Sequence, residues 1–107
     1  MPNNYKNALL DLTATSVTTL YTCPSATTAL VKSILVSEDS GNADTITVTI
    51  TDADAAVFSL FKVKAVAANT TVELLTEPLV VQENEILKVT AATANRLHVV
   101  ASLLEIN

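Results

Sequence analysis

The chain has 107 residues, enough for one domain around a single core. Half of the residues are hydrophobic and 16% are charged, with six Lys and Arg against eleven Asp and Glu for a net charge of −5. Six scattered cations make no basic stripe for direct nucleic-acid binding, and a single cysteine excludes an internal disulfide framework. No apolar run approaches the roughly 20 residues of a membrane helix, so no membrane partner is expected. So few charges on so small a domain point to surface hidden against neighbouring copies.

In chain order, the segments alternate strand character with turn chemistry. Met1-Pro2-Asn3-Asn4-Tyr5-Lys6-Asn7 has no apolar signal core, which speaks against a cleaved leader. Residues 1–12 are expected to be an N-terminal arm or a first, weak strand, and residues 13–107 the folded domain. Residues 17–22 form a second strand, ended by Cys23-Pro24 because proline lacks an amide donor. Residues 29–38 read as the longest strand of the first half, with Leu30, Lys32, Ile34 and Val36 opposite Val31, Ser33, Leu35 and Ser37. The stretch Glu38-Asp39-Ser40-Gly41-Asn42-Ala43-Asp44 holds the only glycine of the chain. A hairpin loop is expected there, with Gly41 or Asn42 at positive φ.

Thr45-Ile46-Thr47-Val48-Thr49-Ile50-Thr51 alternates without error. Successive strand side chains point to opposite faces, so Ile46, Val48 and Ile50 face a core and the threonines face water, the pattern of an antiparallel sheet. After the turn Asp52-Ala53-Asp54-Ala55-Ala56 come strands at 57–64, 70–75 and 79–81, the middle one broken by Glu77-Pro78. Gln82-Glu83-Asn84-Glu85 is an acidic turn. Strands at 86–92 and 96–106 close the chain and are expected to pair as a hairpin. In the last, Leu97, Val99, Ala101 and Leu103 make one apolar face and Val100, Leu104 and Ile106 another, as in a central strand or one that meets a second subunit. About eight short strands give the fold class: all-β, a single antiparallel β-sandwich of Ig-like or jelly-roll type.

Reactive chemistry is sparse. Cys23 and His98 are the only thiol and imidazole, with no acidic orienter or oxyanion turn beside either, so no catalytic residue is assigned. Asp52, Asp54, Glu83 and Glu85 lie in two turns without the remaining positions of a calcium loop, so neither metal nor cofactor is expected. Asn69-Thr70-Thr71 matches the glycosylation sequon and is read as chance. A carbohydrate or host-surface binding module would need aromatic platforms, and only Tyr5, Tyr21, Phe58 and Phe61 are on offer.

Four pieces in order carry a resemblance. They are Tyr21-Thr22-Cys23-Pro24 followed by Ala29-Leu30-Val31-Lys32-Ser33-Ile34; the threonine-rich strand 45–51; Leu79-Val80-Val81-Gln82-Glu83-Asn84-Glu85-Ile86-Leu87-Lys88-Val89; and Ser102-Leu103-Leu104-Glu105-Ile106. From about residue 12 to 106 the chain resembles the small virion structural proteins of tailed bacteriophages. The resemblance implies a virion component assembled in the bacterial cytoplasm, with no catalytic residues to carry over. It implies a head decoration or cement protein that binds the major capsid protein or another virion protein as a homo-oligomer, a trimer being favoured. A neck, baseplate or tail-fibre part is the alternative. Pro2, Tyr5, Leu9 and Leu10 are the expected subunit contacts.

Overall fold

A computed structural model describes residues 3–107 and contains nine strands and no helix among them. The strands are β1 (Asn3–Asp11), β2 (Thr18–Thr22), β3 (Thr28–Glu38), β4 (Asp44–Thr51), β5 (Val57–Val66), β6 (Thr71–Glu73), β7 (Leu79–Val81), β8 (Ile86–Ala91) and β9 (Leu97–Ile106). Two antiparallel sheets face each other. The first runs β1-β9-β3-β6, with β7 also on β3; the second runs β2-β8-β4-β5. Apart from β4 to β5 and the split pair β6 and β7, each strand leads to one in the opposite sheet. This order is that of a jelly roll, an open sandwich in which Greek-key crossovers interleave the sheets.

The core is aliphatic. Ile46 and Val48 of β4 are fully buried, as its alternation requires, and they meet Val31, Ile34 and Val36 of β3, Leu87 and Val89 of β8, and Leu97, Val99 and Ala101 of β9. Strict alternation fails in β3. The register against β9 shifts between Val31 and Ser33, a β-bulge at Lys32. Ala29, Val31, Ile34 and Val36 therefore all face inward, and Lys32 is exposed rather than grouped with Ile34 and Val36. β5 is irregular too, with two register shifts and Val63 at φ +52°.

Two expected hairpins are replaced by crossovers. β3 lies in the first sheet and β4 in the second, so the loop between them spans the sandwich; β8 and β9 are divided in the same way. Turn residues permit a reversal of the chain without saying which sheet receives it. Within the first of these loops Gly41 does hold positive φ, at +84°, where an L side chain would be strained. Asn69, Asn84 and Asn95 take the same left-handed region in other turns.

β6 and β7 share one edge of β3 in two pieces, pairing with residues 35–37 and 29–31. Between them a side chain stands in for the ladder. The Glu73 carboxylate accepts the Ile34 N–H at 2.9 Å, the Leu75 N–H at 3.2 Å and the Ser33 hydroxyl. Burial raises the Glu73 carboxyl, but these three donors outweigh it and hold the group below its ordinary value.

Candidate interaction surface

The outer face of the first sheet carries the feature that the core cannot explain. On β9, Val100, Leu104 and Ile106 point away from the core, and register places apolar partners beside them. One row crosses the face as Val80 on β7, Leu30 on β3, Leu104 on β9 and Tyr5 on β1. A second runs Leu35, Val100 and Leu9. Tyr5 is 77% exposed, Leu9 69%, Val80 50%, Ile106 39% and Leu35 37%. These five alone offer roughly 600 Å², against roughly 800 Å² per partner in a standard protein interface. The Lys32 ammonium sits 5.9 Å from the Tyr5 ring centroid, a consequence of the bulge that turns Lys32 outward.

Asn3–Asp11, the segment expected to be an arm or first strand, is the edge strand β1, paired with β9 over all nine of its residues. Tyr5 and Leu9 lie on the exposed face. Leu10 points to the other side, opposite Val99, and is partly buried against the core. Pro2 lies outside the described residues.

A buried polar cluster fastens this edge. Glu105 is only 4% exposed although it lies one residue from the chain's outer row. Its carboxylate accepts the Tyr21 hydroxyl from β2 at 2.5 Å and faces the Lys6 ammonium of β1 at 3.2 Å. The Tyr21 hydrogen bond lowers the Glu105 carboxyl, burial opposes it, and the contact with Lys6 lowers it further; the net direction is down. Burial, then the bond to that carboxylate, push the Tyr21 phenol well above its ordinary range. One carboxylate thereby ties β1, β2 and β9 together across both sheets.

A second carboxylate organises the loops at the opposite end of β3. Glu38, 1% exposed, accepts N–H groups from Ser40 at 2.8 Å, Gly41 at 3.1 Å and Asn69 at 3.1 Å, together with the Ser40 hydroxyl. Burial raises this carboxyl, and the four donors more than reverse it, bringing its pKa to about 2. Both acids sit on strands that read as ordinary alternating segments, and no local signal marks them.

The reactive residues are apart. Cys23 is fully buried, donates its thiol to the Thr27 carbonyl at 3.3 Å, and is pushed up in pKa by burial. It belongs to the neighbourhood of Glu105. His98 stands at the other end of β9, roughly 20 Å away at strand spacing, between Asp11 (3.3 Å) and Asp39 (3.7 Å). The one thiol and the one imidazole are thus held apart by other partners and form no Cys–His pair. The acidic turn residues accept backbone amides: Asp52 those of Asp54 and Ala56 and Glu85 that of Gln82, each within its own turn, and Glu83 that of Ala26 in another loop. No group of three or more His, Cys, Asp or Glu among the described residues is placed to hold a metal. The aromatics form no platform: Tyr5 and the 54% exposed Phe58 sit on edge strands of different sheets, and Tyr21 and Phe61 are partly buried.

No family model matches the chain, and no curated protein sequence matches it. Among solved structures, a chain from the disulfide-linked pili of Bacillus endospore appendages is similar, with a TM-score of 0.59 and 10% identity over 98% of this chain and 88% of that one. A chain of infectious bursal disease virus, Gt strain, gives a TM-score of 0.49 at 10% identity; 98% of this chain is covered, spanning 30% of the viral one. The likeness to the pilus chain is one of fold: an all-β, two-sheet sandwich.

Proposed function

We propose that this chain is a structural subunit of a tailed-phage virion, a head decoration protein that docks on the major capsid protein through the outer face of its first sheet. The observation that carries the reading is the pair of apolar rows, which a small monomer in water gains nothing by exposing. At about 25 cal/mol per Å², covering roughly 600 Å² releases a gross ~15 kcal/mol, of which association entropy and desolvation offset a large share. Enough remains for a multicopy contact repeated over a symmetric shell. The jelly-roll fold supports the reading, as does the resemblance of the 21–34, 45–51, 79–89 and 102–106 segments to small phage virion proteins. Tyr5 and Leu9 are the subunit contacts it assigns within β1.

The test is occupancy on purified heads that lack the protein. The wild-type chain is expected to bind in hundreds of copies per head. Val80→Asp, which places a charge in the first apolar row, is expected to lower occupancy about tenfold or more while leaving the melting temperature unchanged, because Val80 is half exposed in the free subunit. Equal occupancy of the variant would refute docking through this face. About a dozen copies per particle would move the chain to the neck or tail.

A further inference from the structure

Three of the four sheet edges are guarded against pairing with another chain. β5 has two register shifts, Val63 at positive φ, and Lys62 and Lys64. β2 has a shift between Thr19 and Tyr21 and stops before Cys23-Pro24. β6 and β7 are three residues each. Bulges, charges, proline and shortness are the usual protections of an edge. β1 has no bulge and is not short: its nine residues keep unbroken register with β9, its one cation, Lys6, is turned back onto Glu105, and its one anion, Asp11, stands at the strand's end beside His98.

The phase of its free hydrogen-bonding groups follows from one contact. The Leu12 N–H donates to the Leu97 carbonyl at 3.1 Å, continuing the β1–β9 register. Antiparallel partners exchange bonds at alternate residues. Asn4, Lys6, Ala8 and Leu10 therefore bond to β9, and Asn3, Tyr5, Asn7 and Leu9 aim N–H and C=O at solvent, while Asp11 aims only its N–H there because its carbonyl accepts the Thr13 N–H at 3.1 Å.

We infer that two copies of this chain pair β1 against β1, antiparallel, about a two-fold axis at Asn7, fusing their first sheets into one. In that register Tyr5 lies opposite Leu9 of the second copy, and Asn3 opposite Asp11. The apolar row ending at Tyr5 runs on into the row beginning at Leu9 of the second copy, so both rows double in length across the seam. Neighbouring registers are worse. A slip of two residues one way sets Lys6 against Lys6, and the other way sets Tyr5 against Asp11; like charges or a charge on an aromatic oppose pairing. The contact is self-complementary and closes at two copies. It goes beyond the particle reading and stands without it.

The experiment uses the full chain alone. Sedimentation from micromolar to millimolar concentration is expected to show a monomer–dimer equilibrium. Directly opposed, bonded residues have Cα atoms about 5.5 Å apart, within disulfide reach, so Asn7→Cys is expected to crosslink to twice the chain mass under oxidation, and Leu9→Cys is not. Asn7→Pro removes an outward amide and is expected to weaken the dimer about tenfold or more without lowering the melting temperature of dilute protein, whereas Ala8→Pro, which removes a bond to β9, lowers it. A strict monomer, a trimer, or crosslinking by Leu9→Cys in place of Asn7→Cys overturns the proposal. Val80→Asp lies away from this edge; loss of head binding with the dimer intact, or the reverse, separates the two readings.

Discussion

Removing the Tyr21 hydroxyl tests whether Glu105 holds the two sheets together at the β1 edge. In Tyr21→Phe the ring still packs, but the carboxylate loses its 2.5 Å donor and keeps Lys6 alone while 4% exposed. A buried acceptor that loses one of two partners costs about 1–3 kcal/mol. For a domain of this length that lowers the melting temperature by about 4–8 °C per kcal/mol. Glu105→Gln is expected to cost a similar amount, and the double variant less than the sum of the two, since both act on one bond. The pH dependence has a definite sign. The folded carboxyl titrates below its ordinary value of 4.5, so its contribution is complete above that pH and is lost as pH falls toward the lower folded value. Glu105→Gln should therefore flatten the loss of stability below about pH 4.5 without abolishing it, because Glu38 and Glu73 are lowered as well. Thermal melts followed by far-ultraviolet circular dichroism between about pH 2 and 8 read all of this. A Tyr21→Phe melt indistinguishable from wild type at neutral pH, or strictly additive single effects, refutes the reasoning.

Leu87 is fully buried between β4 and β2, and Leu87→Ala is expected to destabilise by about 3–5 kcal/mol, measured by urea unfolding with an unchanged slope. Ala55 holds φ +67° in the turn that Asp52 caps, so Ala55→Gly relieves left-handed strain and should raise stability by about 0.5–1 kcal/mol in the same assay. Glu38→Gln places an NH₂ donor among the amides of Ser40, Gly41 and Asn69; hydrogen exchange should lose protection at these three positions and keep it in β4. The wild-type carboxylate keeps its charge down to about pH 2, so the same loss appears there only in strong acid.

Strand character was plain in the residues wherever a single period governed them. From Thr45 to Thr49 burial follows the alternation, with Ile46 and Val48 buried and their neighbours not, and only at Ile50, partly buried, and Thr51, buried, does it lapse. Gly41 marked its own positive φ for a local reason. The two apolar faces of the last strand were legible as well, since alternation separates Leu97, Val99, Ala101 and Leu103 from Val100, Leu104 and Ile106. The bulge at Lys32 was hidden, because one extra residue shifts phase only relative to a partner strand.

Sheet assignment could come only from the assembled chain. A turn of Gly, Asn and Asp between two strands permits a hairpin or a crossover equally, and which one forms depends on where both apolar faces find cover; that choice sent β4 and β8 to one sheet and β3 and β9 to the other. The same folding brought Val80, Leu30, Leu104 and Tyr5 into one row, although sequence scatters them from residue 5 to residue 104. It also set Glu105 under Tyr21, 84 positions away. Local sequence determined which residues extend and which face of each is apolar, because those follow from backbone geometry. Tertiary structure decided which apolar faces remain uncovered, because burial is a property of pairs of strands and not of one.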